Sequence, residues 1–271
     1  MESDRALQDS LIRLLADAPF RDALMHVDEG VAYGGLTAGQ VEAIRAGDLR
    51  RVDRFGKFLA RQYYHERIWH FHKYSRALSH WTGRSPEGFL LTPAFANLLP
   101  NIIIGSRTTA RDLARLVQAY MSDVRGAPAY ATDLVRYENA QLIAESGPRP
   151  PASAPPRARP QLATIINPEA SILRFTYDLP AIFKPLLALA EAEHFPEHPP
   201  DAPLAELTLV FVRSPRGRVT VLRWTDTIES LTAYLDGERP LSDAIDAATL
   251  PPREGLEIAT ALLDAGVLIP A

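Results

Sequence analysis

Between Gly147 and Pro160 the chain carries Pro148, Pro150, Pro151, Pro155, Pro156 and Pro160, separated by alanine, serine and arginine. Proline lacks a backbone N–H and fixes φ, so neither a helix nor a strand ladder runs through such a stretch. It predicts a stiff, solvated connector over residues 147–160, with a helical body at 1–146 and a second unit at 161–271. Two units also suit 271 residues, because single domains commonly run to roughly 100 to 200.

Within the body, Leu7, Leu11, Leu14 and Leu15 recur at helical spacing, Pro19 opens a second helix, and Thr37 precedes a third that stops at Gly47. Asp48 is suited to cap the longest helix. The series Val52, Phe55, Leu59, Tyr63, Ile68 and Phe71 marks its expected inner face and carries it toward Trp81. Ser85-Pro86-Glu87 reads as a cap followed by an N1 proline, while Pro93 and Pro100 keep the next segments short. Two further helices, Ser106 to Met121 and Pro128 to Ser146, complete the body. On the second of these, Tyr130, Leu134, Tyr137 and Ile143 share one stripe, with Asp133, Arg136 and Glu138 off it.

After the connector, Leu162 to Ile166 and Ile172 to Tyr177 read as strands, and Leu179 to Ala192 reads as a helix. A second proline cluster occupies Pro196 to Pro203. Leu207 to Val212 and Val219 to Leu222 then flank Ser214-Pro215-Arg216-Gly217, a hairpin with glycine at the turn. A helix capped by Asp226 and two more, Pro240 to Ala248 and Arg253 to Ala265, follow. The expected fold class is α+β: an all-helical N-terminal domain, then a winged-helix-like C-terminal domain with a small antiparallel sheet.

Composition removes whole classes of chemistry. With no cysteine, disulfides, thiolate metal sites and cysteine nucleophiles are excluded. The formal charge is −4; residues before Gly147 hold 18 Lys+Arg against 17 Asp+Glu, and the remainder 11 against 16. Neither part has the cationic excess that displaces counterions from nucleic acid. The acidic residues of the last helices would also repel a major groove. No run of about 18 apolar residues occurs, and Glu2, Asp4 and Arg5 open the chain in place of an export signal, so the expected location is the cytoplasm, with no membrane contact.

No phosphate loop, G-x-S-x-G elbow or paired-acid motif is present, which points away from an enzyme. His65, His70, His72 and His80 crowd one segment, yet a helical zinc pair needs histidines at i and i+4, and His65 and His70 are five apart. The interleaved Tyr63, Tyr64, Trp69, Phe71 and Tyr74 fit an aromatic packing or docking surface better than a metal site. No metal or other cofactor is expected in this chain. Arg213, Arg216, Arg218 and Arg223 decorate the hairpin and suit either an acidic peptide or plain solvation.

Leu231 to Ile245, LTAYLDGERPLSDAI, with Ala261 to Leu268, ALLDAGVL, resembles the recognition element that binds leader peptides of ribosomally synthesised and modified peptides. Ala127 to Ala140, APAYATDLVRYENA, and Ile166 to Tyr177, INPEASILRFTY, are similar to partner proteins of multinuclear non-heme iron oxidases, such as those of 3-thiaglutamate or methanobactin-type pathways. The start, Leu14 to Val41, is similar to the small helical domain of some of these partners. The resemblance implies a non-catalytic subunit in a hetero-complex, with iron held by the oxidase. It implies a leader adding a strand to the small sheet beside the last helix, near Leu209, Phe211, Arg213, Arg218, Val221, Arg223, Leu256 and Thr260. It further implies an oxidase-docking face at Tyr130, Asp133, Tyr137 and Glu138, on a helix whose stripe of Tyr130, Leu134, Tyr137 and Ile143 reads by periodicity alone as core packing. The family's first strand would come from Leu162 to Ile166 or from Ile172 to Phe175. The alternative is a winged-helix DNA-binding regulator.

Overall fold

The computed structural model describes residues 2–28, 30–122, 124–147, 157–189 and 195–271, with side chains from residue 7 onward. Most of the proline-rich connector, residues 148–156, lies outside the described residues, as does the expected end of the helix at Ala192.

Nine helices build the first part among the described residues: α1 (Glu2–Ala16), α2 (Ala18–His26), α3 (Ala38–Arg45), α4 (Leu49–Phe71), α5 (Lys73–Ala77), α6 (Ser79–Thr82), α7 (Pro93–Leu98), α8 (Arg107–Met121) and α9 (Ala131–Glu145). The remainder runs β1 (Thr164–Ile166), β2 (Ser171–Tyr177), α10 (Leu179–Leu189), β3 (Leu204–Arg213), β4 (Val219–Arg223), α11 (Asp226–Thr232), α12 (Leu241–Ala247), α13 (Pro252–Ala265) and β5 (Leu268–Pro270). The fold is α+β. No helix among the described residues is long and apolar enough to cross a membrane.

Local signals act as the sequence predicts at several helix starts. Thr37 forms a capping box with Gln40, Asp48 accepts the Arg51 N–H, and the Ser106 hydroxyl accepts from Thr109. The cap of α11 is Thr225, one residue before the expected Asp226.

The spine departs from expectation in two ways. Phe55 points outward, because the buried face of α4 is Gly56, Ala60, Tyr64, Ile68 and Phe71. The missing side chain at Gly56 makes room for Arg21: a Cβ there would stand 2.6 Å from the guanidinium. Close packing at a glycine carries no hydrophobic signal, so the periodicity selects a neighbouring face. The helix also ends at Phe71 and does not reach Trp81. The buried Glu138 carboxylate from α9 accepts the Tyr74 N–H at 2.7 Å and the Ser75 N–H at 3.2 Å, which restarts the chain as α5.

The main sheet is antiparallel in the order β2-β3-β4, so β2 supplies the strand next to β3, while β1 pairs separately with β5. Side-chain alternation gives β3 two faces. Leu207, Leu209 and Phe211 enter a cluster with Tyr74, Tyr130, Tyr137, Phe175 and Leu179; Val210 and Val212 enter another with Leu231, Leu241, Ile245, Ala259 and Leu262. The sheet is thus a shared floor, with α9 and α10 on one side and α11 to α13 on the other. Tyr137 reaches Phe175, Phe183 and Phe211 with ring centroids 6.2, 4.8 and 5.3 Å away, joining residues on both sides of the proline-rich stretch in one core. A third cluster around Tyr64, Ile68, Phe89, Phe95, Leu113 and Val117 fills the body.

Candidate functional site

A three-stranded sheet has two edges, and here they are treated differently. On β2, the outward Thr176 N–H is taken by Asp133 Oδ2 at 2.7 Å and the Arg174 carbonyl by Arg136 at 3.3 Å. Side chains of α9 therefore close that edge. On β4, the ladder to β3 begins at Ser214 and Arg218 and ends with the Trp224 N–H on the Thr208 carbonyl at 2.8 Å. Antiparallel alternation then turns the backbone groups of Thr220 and Leu222 toward β3 and those of Val219, Val221 and Arg223 outward. Among the described residues nothing bonds these outward groups.

Beside this open edge lies a groove of about 340 Å³, lined by Leu222 and Arg223 of β4, Thr227 and Ile228 of α11, and Ile258 and Ala261 of α13. Its floor is apolar and its rim carries Arg223 and Glu254. An extended segment laid along β4 would gain main-chain hydrogen bonds at three positions while alternate side chains entered the groove. Such an arrangement offers backbone pairing and an apolar lining to an extended segment.

The residues expected to bind peptide divide between the two sides of the sheet. Val221 and Arg223 offer outward backbone groups, and Arg223 also lines the groove. Leu209 and Phe211 are buried on the opposite face, against α9. Arg213 turns back to the body, donating to the Gly147 carbonyl at 3.1 Å and lying 3.8 Å from Glu145. Arg218 is exposed beside the turn. Leu256 and Thr260 sit around α13 from the groove; the Thr260 hydroxyl donates to the Leu256 carbonyl of its own helix at 2.7 Å. Among the lining residues that were not expected at the site are Ile228 of α11 and Ile258 and Ala261 of α13. For Ile258 and Ala261 the one signal is an apolar side chain outside the buried set Ala259, Leu262 and Leu263.

The four expected docking residues are all inside. Tyr130, Asp133, Tyr137 and Glu138 are buried, because α9 packs against α4 and α8 on one side and the sheet on the other, leaving little of its circumference wet. Burial pushes the Glu138 carboxyl up to about 8, against the pull of the Ser75 and Tyr74 donors. Two positions before Tyr74, burial lowers His72 to about 4, and its Nε2–H donates to Asn139 Oδ1 at 2.9 Å. Asn139 in turn donates to the Ala114 carbonyl at 3.0 Å, which fixes the amide orientation. His72 is thus a buried core histidine held through Nε2, with Nδ1 unpartnered, whereas His65 is exposed.

No protein-family model and no curated protein matches this chain.

Proposed function

We propose that this chain is a non-catalytic partner subunit that captures the leader of a ribosomally made precursor peptide and holds its modifiable end for an iron-dependent oxidase acting on cysteine. In this reading β2 to β4 with α11 to α13 form a winged-helix-like recognition unit, and the complex works in the cytoplasm. Iron belongs to the oxidase. The observation that carries the reading is the unpaired edge of β4 running beside an apolar groove against the last long helix. Backbone pairing supplies affinity for any extended segment, and the groove supplies selection for apolar residues at alternate positions. Tethering the leader to the oxidase's companion makes delivery of the far end nearly intramolecular, which raises its effective concentration.

The test is binding of a fluorescent leader, taken from a short cysteine-containing reading frame beside an oxidase gene, to the purified chain. Saturable binding that Ile258→Glu abolishes is the expected result. No binding, together with tight and salt-steep binding to duplex DNA, would overturn the reading in favour of a DNA-binding regulator.

A further inference from the structure

We propose that the outward face of α4 is the surface that grips the oxidase subunit, and that the oxidase meets it with an acidic face carrying apolar anchors. This rests on the function proposed above for its partner, but on separate residues for its evidence. Phe55, Phe58, Gln62, His65 and Trp69 recur at spacings of three and four, which places them on one stripe of the helix. Phe55 is 49% exposed, Phe58 58% and Trp69 54%; Leu91, beside the Leu90 carbonyl that Arg61 bonds, is 82% exposed. Large side chains set in an ordered row on the longest helix are unusual for a surface that only meets water.

The rings are held in position before any partner arrives. Phe55 stacks with Phe58 at 6.2 Å and His65 with Trp69 at 6.4 Å. The Arg76 guanidinium lies 3.4 Å from the centre of the Trp69 ring and donates to the Trp69 carbonyl at 3.2 Å. Ordered aromatic anchors lose little freedom on binding, the property shared by residues that dominate protein interfaces.

Charge selects the occupant. Of the helix's six Lys and Arg, Lys57 pairs with Asp53 and Arg67 with Glu145, which leaves Arg50, Arg51, Arg54 and Arg61 against the exposed Glu66, in a chain whose net charge is −4. Arg51 falls in the stripe, and Arg54 and Arg61 follow one side of it. A second copy laid on the stripe would bring these arginines against their own kind. A duplex backbone would neutralise them and leave Phe55 and Phe58 in water. An acidic protein face with apolar residues satisfies both the charges and the rings. The stripe belongs to a helix of the body core, and the groove to the cluster around α11 to α13, so the two surfaces are built from different parts of the fold.

The experiment measures oxidase affinity by calorimetry with the full chain, its Phe58→Glu/Trp69→Glu variant and its Arg51→Glu/Arg54→Glu variant, each checked for unaltered melting and unaltered leader binding. The aromatic variant is expected to bind oxidase at least about 30-fold more weakly, and the arginine variant to lose the salt dependence of the unaltered chain. If the unaltered chain binds oxidase and both variants bind it equally well, the α4 assignment falls while the proposed function stands. If the unaltered chain binds neither leader nor oxidase, the proposed function falls and takes this assignment with it. Dissociation of a homodimer by the aromatic variant, or loss of nucleic-acid binding in place of oxidase binding, overturns it in favour of those occupants.

Discussion

Asp133 on α9 accepts the backbone N–H of Thr176 on β2, 2.7 Å away and 43 positions along the chain. With Arg136 on the Arg174 carbonyl, it closes one edge of a sheet whose other edge is open. Asp133→Ala is expected to cost about 1 to 3 kcal/mol in urea unfolding, the range for a buried donor left without its acceptor. The freed edge should also promote self-association, visible by sedimentation as concentration rises. Asp133→Asn keeps an oxygen acceptor and should recover most of the stability. Equal stability and equal monomer content for the alanine variant would show that the edge is closed by something else.

Val221 offers a separate handle on the open side. Its N–H points away from β3, so proline at this position removes a donor from the outer edge and leaves the β3 ladder intact. Val221→Pro should hold stability to within about 1 kcal/mol and weaken leader binding about 10-fold or more. Undiminished affinity would mean that the guest does not pair with β4.

Two separately buried groups, Glu138 and His72, shape the pH response. Glu138 is raised from 4.5 to about 8, so the folded state keeps a proton that the unfolded chain loses; the stability linked to it is full below 4.5 and is lost as pH climbs to 8. His72 is lowered from 6.5 to about 4, so its contribution is full above 6.5 and is lost as pH falls to 4. The two slopes oppose each other between pH 4.5 and 6.5, giving a plateau. From 6.5 to 8 only the carboxyl acts, and stability should decline by about 1 kcal/mol per pH unit. Urea unfolding at intervals across this range checks it. Glu138→Gln should remove the alkaline decline, and a wild-type profile flat above pH 6.5 would contradict it.

Tyr137 ties the body to the sheet through Phe175, Phe183 and Phe211. Truncation to alanine should cost about 3 to 5 kcal/mol, as for other large core aromatics. Because one core spans both segments, Trp81 and Trp224, each followed as the lone tryptophan, should report the same unfolding midpoint. Two separated midpoints would indicate two independently folding units.

Local chemistry was legible in the sequence, and long-range chemistry was not. Thr37, Asp48 and Ser106 announce helix starts because a cap acts within three residues of its own position. The hairpin at Ser214 to Gly217 is equally self-contained: Gly217 N–H bonds the Ser214 carbonyl, with Gly217 at φ +78°. The end of α4 at Phe71 is decided by a carboxyl group more than sixty residues away, which no window of periodicity reports. Glu138 reads as a polar residue off the stripe, so its role as a buried acceptor was hidden, and the docking face assigned around it lies inside the fold. The elements that frame the candidate groove, the hairpin and the last long helix, were legible in the sequence, whereas the side of α13 that lines it depends on how the helix is rotated against β4. Strand β5, three residues pairing with β1, is too short to carry any alternation of its own.

Val219 stands at the open edge with its backbone outward, yet its side chain packs against both the cluster around Tyr137 and the cluster around Tyr64. A strand zipped to β4 would therefore restrain a residue wedged between the two interiors of the body. Thermodynamic linkage makes such restraint mutual: a change that stiffens the helices raises affinity for the guest by the same factor by which the guest stiffens the helices. Occupancy at the rim and rigidity at the far end of the molecule would then be two readings of a single equilibrium.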